Sequence, residues 1–294
     1  ALAGAYAERT GDLTTIRAEG LSQQEGDVRH FGMSKEGVIA RQFMLGVVQT
    51  ADGMPIYHEV FDGNTAEAPT LQPTLKKVLT RYHHIRRLVV VADRGLLSLD
   101  NIQALSKLQE AAGRTLEFIL AVPGRRYGEF VDLVQPISQQ AAQDGEEIVQ
   151  EVQWQGHRLV VAHNPRQAAQ QTQDRLSRIH ALEQRAAQLT GKLDAQEAGA
   201  VQRGRKLSDS GAKARFFHEV SDAHLARIIK VDLKSDLFTY CIDEAALARA
   251  QLMDGKLMLV TNVQDMKAAD VVRRYKSLAD IERGFKVLKS EIQI

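Results

Sequence analysis

The sequence predicts a mixed α/β fold: a sheet with helices on its faces, interrupted by a large α+β insertion. Three observations carry this. Short β-branched runs such as "RLVVVAD" and "LEFILAV" have the length of buried strands and alternate with helical periods. The earlier strands are joined by a hairpin signal and not by helices, so part of the sheet is antiparallel. Beyond Pro123-Gly124 the pattern changes, and a long amphipathic helix and a polar, basic stretch intervene before α/β patterning resumes.

Taken in order, "GDLTTIRA" is a first strand. Residues 41–61, "RQFMLGVVQTADGMPIYHEVF", are two strands joined by Ala51-Asp52-Gly53, because Asp-Gly accepts the backbone that a tight hairpin needs. Leu71, Leu75, Val78 and Leu79 recur at helical spacing within 70–83. Then "RLVVVAD" is a strand, "SLDNIQALSKLQEAAG" a helix capped by Ser98, and 116–122 another buried strand. The order is β-β-β-α-β-α-β. Next, "EEIVQEVQWQGHRLVVAHN" reads as a hairpin turning at Gln155-Gly156. Thr172, Leu176, Ile179, Leu182, Ala186, Leu189 and Leu193 then recur in steps of three and four, the apolar seam of one long helix. Residues 199–214, rich in Gly, Ser and charge, read as a loop. "RIIKVDL" and "LFTYCID" read as strands, "EAALARAQLMDG" as a helix ending at Gly255, and "KLMLVTN" as a strand. One closing helix runs through "YKSLADIERGFKVLKS". The division expected is a core from 1–124 and 246–294 with an insertion over 125–245.

With 294 residues, 44% of them apolar and 26% charged, the chain has the composition of an ordinary globular protein. Its single cysteine, Cys241, cannot form an internal disulfide, which fits a reducing, intracellular location. No apolar stretch approaches the roughly 20 residues of a membrane helix, and the N-terminus lacks the pattern of a signal peptide. A cytoplasmic protein with no membrane partner is expected. The absence of an initiator Met suggests a piece of a longer chain. Net charge is +1, but basic residues cluster: five against one acid in 203–215, and six against two in 273–289. Such patches suit phosphate contacts, although solvated helix faces and a flexible loop account for them equally well.

Several chemistries lack their motifs. There is no G-x-x-x-x-G-K-[ST], G-x-G-x-x-G, G-x-S-x-G or H-E-x-x-H, and one cysteine cannot build a zinc finger. Asp12-Leu-Thr-Thr is a faint match to an aspartyl-phosphate phosphatase nucleophile, but Thr14 stands where that family has its second Asp. Three carboxylates stand out instead. Asp12 lies at or near the edge of the first strand. Asp93 ends a central strand, where ligands of open α/β sheets gather, although a turn or capping Asp has the same signature. Glu282 borders the apolar face made by Leu278, Ile281, Phe285 and Leu288, and Tyr275, Glu282 and Lys289 follow at intervals of seven as a polar stripe. A carboxylate beside an apolar face is paired or binds a metal, and Lys286 at i+4 offers the plain alternative of an ion pair.

Together, "GDLTT", "GMPIYHEVFDGNTAEAPTL", "VVVADRGLLS", "DGKLMLVTN" and above all "YKSLADIERGFKVLK" resemble the DDE transposases of bacterial insertion sequences, in the group with a Tyr-Arg-Glu-Lys signature around the third acid. Tyr275, Glu282 and Lys289 fall in register with that signature, while Leu278 occupies its Arg position. The similarity spans most of the chain outside 125–225. It implies an RNase H-like core in which Asp12, Asp93 and Glu282 are catalytic and hold two Mg²⁺ ions, with Mn²⁺ able to substitute. It implies cleavage of double-stranded DNA at transposon ends followed by strand transfer, and a homodimer on DNA. Tyr275 and Lys289 become phosphate contacts, Arg94 a weaker one, and Arg203, Arg205 and Lys206 a DNA-contacting loop of the insertion. Trp154 is read as hairpin packing, with stacking on a displaced base as the alternative. Two rivals are a truncated or domesticated remnant that binds DNA without catalysis, and a phosphatase-like hydrolase with Asp12 as nucleophile.

Overall fold

The structure, a computed structural model, describes residues 6–18, 25–33, 39–50, 54–66, 68–83, 87–92, 102–103, 105, 107, 115–144, 146–199 and 206–291; for 6–13, 49, 68, 125, 138–144, 280–282 and 288–291 it describes the backbone alone. The strands are β1 (Tyr6–Arg17), β2 (His30–Met33), β3 (Ile39–Thr50), β4 (Pro55–Asp62), β5 (Arg87–Ala92), β6 (Thr115–Ala121), β7 (Ile148–Trp154), β8 (His157–His163), β9 (Ile229–Val231), β10 (Tyr240–Ile242) and β11 (Lys256–Thr261). The helices are α1 (Leu71–Arg81), α2 (Val131–Asp144), α3 (Pro165–Glu197), α4 (Asp209–Asp222), α5 (Glu244–Met253), α6 (Ala268–Lys276) and α7 (Leu278–Glu291). The helix expected over 98–113 lies largely outside the described residues, of which Ile102 and Leu105 are buried.

Nine described strands form one mixed sheet in the order β2-β3-β1-β5-β6-β11-β8-β7, with β4 also on β3. β1 pairs antiparallel with β3 and parallel with β5, and β5 runs parallel with β6. The series β4-β3-β1-β5-β6 is therefore an antiparallel hairpin pair joined to parallel strands, the RNase H-like arrangement expected. β5 is central and buried on both faces, which is why its run is almost uniformly Val and Leu. The hairpin expected at Gln155-Gly156 is present, and both residues have positive φ, 49° and 79°, as a two-residue turn of the mirror-image type requires. Its strands, β7 and β8, extend the main sheet.

The chain divides into two compact units, Ala1–Tyr127 with Val149–Ala162 and Leu257–Ile294, and Gly128–Ile148 with His163–Lys256. In the first, α6 packs against β5 and β6 and α7 against β1. Val89, Val91, Ile119, Ala121 and Leu259 from strands form one core with Val271, Val272, Leu278 and Phe285 from these helices. In the second, α3 starts at the Asn164 cap, whose side chain accepts from Gln167 N at 3.0 Å, with Pro165 in the first turn. Its seam from Ile179 to Leu189 is buried against Phe216 and Val220 of α4 and against Ile228 and Ile229, so it packs within its own unit. Leu176, at the start of the expected seam, is exposed.

Two readings need correction. Residues 199–214 are not all loop, since α4 begins at Asp209 with the Ser208 side chain accepting from Gly211 N at 3.1 Å. The closing helix is two helices meeting at Ser277, whose hydroxyl donates to Arg274 O at 2.7 Å. Such a local side-chain bond competes with helix continuation. The strands expected at 227–233 and 237–243 are present but short, pairing Ile229–Val231 with Tyr240–Ile242.

Candidate active site

Asp12 lies in the middle of β1, opposite Val47 of β3. Opposed residues of an antiparallel pair share a face. Val47 and Leu45 pack on the core that contains Val89, Val91, Leu278 and Phe285, so position 12 belongs to the face covered by α7. β5 approaches the same point from the other side. Its pairing with β1 reaches Val91 opposite Thr10, within two residues of Asp12, and the described strand ends at Ala92. Asp93 lies outside the described residues. Val89 and Val91 are the β5 residues that point to this core.

Glu282 sits in α7 four residues after Leu278 and three before Phe285, on the helix side those two buried residues define. α7 packs on β1, the strand that carries Asp12. Leu278 is 6% exposed and part of the core. That is the physical account of a leucine at the signature Arg position: the site it occupies is apolar, and a guanidinium there would be buried without water.

Tyr275 belongs to α6 and not to the helix of Glu282 and Lys289, so the three do not form one continuous stripe. It is half-buried and packs on the core beside α7. Lys289 lies in α7. Lys206 is exposed just ahead of α4. Arg94, Arg203 and Arg205 lie outside the described residues. Trp154, half-buried at the end of β7, has the Arg126 guanidinium 5.7 Å from its ring centroid, so that ring is engaged by a cation within its own unit. Thr14, which stands where an aspartyl-phosphate phosphatase would carry its second Asp, is a buried residue of β1 opposite Leu45 of β3.

Among the described residues, no group of three His, Cys, Asp or Glu side chains is placed to hold a metal ion. The side chains of Asp12, Asp93 and Glu282 are not among those described. A different polar cluster occupies the second unit. Arg175 makes paired bonds to Asp254, Thr172 donates to Asp254 at 2.7 Å, and the buried Lys256 lies 3.3 Å from His163 Nδ1. Burial lowers Lys256 to about 8, against the pull of Asp254. Burial, then the charge of Lys256, also lowers His163. These bonds fasten the α5–β11 turn to α3 and leave no carboxylate open to a ligand. No described helix is long and apolar enough to cross a membrane.

Residues 12–294 match the model of the family described as Transposase DDE domain. No curated protein matches the chain. Among solved structures, a Mos1 transposase paired-end complex with left transposon end is similar at 21% identity over 34% of this chain and 33% of that one, with a TM-score of 0.24. This chain thus spans about a third of that structure's chain, and an overlap so slight does not define a shared fold.

Proposed function

The chain belongs to the Transposase DDE domain family, and from that premise we propose that it is a catalytic core that cleaves double-stranded DNA at transposon ends and joins the freed ends to a target. Asp12, Asp93 and Glu282 are its metal ligands. The observation that supports this reading is the pairing of β1, which carries Asp12, with β3 and β5, together with the packing of α7, which carries Glu282, on β1.

Enzymes of this family depend on divalent cations. Three carboxylates from two strands and a helix are hard oxygen donors that suit Mg²⁺, with Mn²⁺ able to replace it. When bound, a pair of ions activates the attacking oxygen and stabilises the leaving one. The chain's own residues do the rest. The rigid sheet and the apolar core under α7 keep the acids in fixed relation and limit water on that side. Tyr275 and Lys289 donate to phosphate oxygens beside the scissile bond, and Arg94 does so beside Asp93. In the first step a water oxygen bonds to phosphorus as the bond to the 3′ oxygen breaks, leaving a 3′-hydroxyl. In the second, that hydroxyl attacks a target phosphate and displaces another 3′ oxygen.

The insertion, placed within 125–245, contacts end DNA through Arg203, Arg205 and Lys206, and the DNA-bound form is a homodimer. The test is substitution of each acid by Ala, with Mg²⁺-dependent nicking of an end-containing duplex as the readout. Each variant should keep the circular dichroism of the parent and lose cleavage by at least 10²-fold. Full activity in Glu282→Ala would assign the third ligand elsewhere.

A further inference from the structure

One hairpin of the first unit is covered on one face and bare on the other. β2 and the start of β3 pair His30 with Gln42, Phe31 with Arg41, Gly32 with Ala40 and Met33 with Ile39. On the side of Gly32 and Gln42 the chain after β4 lies close: the Gln42 amide donates to Gly63 O at 2.8 Å, and a Cβ on Gly32 would fall 2.4 Å from the same oxygen. On the other side Phe31, Met33 and Ile39 are 66%, 63% and 68% exposed. Side chains alternate along a strand and opposed residues share a face, so these three form one apolar patch.

The patch rests on a fixed support. Asp27 accepts from Arg29 Nε and Nη2, both at 2.8 Å, and from Arg41 Nη2 at 3.3 Å, which ties the entry of β2 to β3. Large apolar side chains held out to water mark an interaction surface. Charge decides what kind. Arg29 and Arg41 are balanced by Asp27 and by Asp62, whose carboxylate lies 4.0 Å from His30 Nε2, so these groups give no excess of the positive charge that duplex phosphates need. β2 is the end strand of the main sheet, and its four residues include neither Lys nor Pro to guard an unpaired edge.

We propose that a second copy of this chain covers the patch, the two β2 edges pairing antiparallel about a two-fold axis at Gly32. This deepens the DNA-bound homodimer proposed above and does not involve the acids. Phe31 of each copy then stands opposite Met33 of the other, a sulfur–aromatic contact made twice, and each Ile39 extends the patch from the adjacent strand. An axis on a residue, and not between residues, keeps both bare faces on one side of the joined sheet. Three such side chains bury about 300–400 Å² per copy, under half of the roughly 800 Å² of a standard interface. The pairing is therefore transient in dilute solution, and it is populated when one DNA holds two copies at an effective concentration of about 1 mM.

Disulfide trapping of the intact chain reads such a transient contact. In a Cys241→Ser background, Phe31→Cys chains mixed with Met33→Cys chains should cross-link about tenfold faster than either chain alone, because directly opposed Cβ atoms are within disulfide reach and diagonal ones are not. Adding Ile39→Lys to both chains should slow that trapping about tenfold, since an unpaired ammonium opposes burial, and should leave the melting temperature unchanged. Equal rates in the mixture and in each chain alone, with and without duplex DNA, overturn the proposal, as does trapping insensitive to Ile39→Lys. A clear loss of melting temperature in Ile39→Lys would show the patch covered within its own chain. Loss of duplex affinity in Phe31→Ala, with trapping at the collision rate, would give the patch to DNA. Either result overturns the pairing of copies. Cleavage is not read, so each of these outcomes leaves the acid site standing.

Discussion

Replacing Lys256 by Met should stabilise the protein at neutral pH. Lys256 is 7% exposed, its ammonium donates to Leu252 O and lies 3.3 Å from His163 Nδ1, and the carboxylate whose charge acts on it, Asp254, is already held by Arg175 and Thr172. Burial lowers it from 10.5 to about 8. At 1.36 kcal/mol per unit, holding the charge costs at most about 3 kcal/mol. A lowered lysine carries its full cost below the folded value, near 8; the cost fades as pH rises and is gone above the unfolded value, near 10.5. Met keeps the length and apolar body but gives up the described bonds to Leu252 O and His163, each worth about 1 kcal/mol. The net gain at pH 7 is about 1–2 kcal/mol, roughly 2–6 °C in melting temperature for a chain of this size. Thermal melts followed by circular dichroism at pH 6, 7, 8, 9 and 10 should show the parent gaining on the variant from pH 8 upward, with the advantage of Met gone by about pH 10. His163 should titrate closer to its ordinary value in the variant, since one of the two causes that lower it is the Lys256 charge. A variant that melts below the parent at pH 7, or whose difference from the parent is independent of pH, would refute the argument.

Gly255 has φ of +66°, and a Cβ there would fall 2.4 Å from Asn164 O; Gly255→Ala should destabilise by about 2 kcal/mol or more, read as a loss of melting temperature with unchanged metal binding. Neutralising Arg203, Arg205 and Lys206 together should weaken duplex binding about equally for all sequences and reduce the slope of log affinity against log salt by up to about 3, measured by fluorescence anisotropy across salt concentrations. An unchanged slope would make that segment a plain linker.

Local pattern was sufficient wherever the physics is local. The β-branched run of β5, the positive-φ turn at Gln155-Gly156 and the seam of α3 were legible because side-chain period and turn chemistry act within a few residues. The acids were legible as candidates by their spacing and their resemblance to a family. Tertiary structure decided what depends on partners far away in the chain. Position 12 stands opposite Val47, a residue packed on the core, only because β1 pairs with β3 in one register, and a slip of one residue would exchange the faces of the strand. The closing helix broke at Ser277 although its heptad spacing runs straight through, because Leu278 has its own place in the sheet's core and the Ser277 hydroxyl takes a neighbouring carbonyl. Helical spacing records which residues share a side of an ideal rod, and it holds no information on where packing ends the rod. The cluster of Arg175, Asp254, Lys256 and His163 joins residues about 80 apart in sequence, so neither its bonds nor the lowered lysine has any local sign. Charge, burial and register are properties of neighbours in space, and the chain acquires those neighbours only by folding.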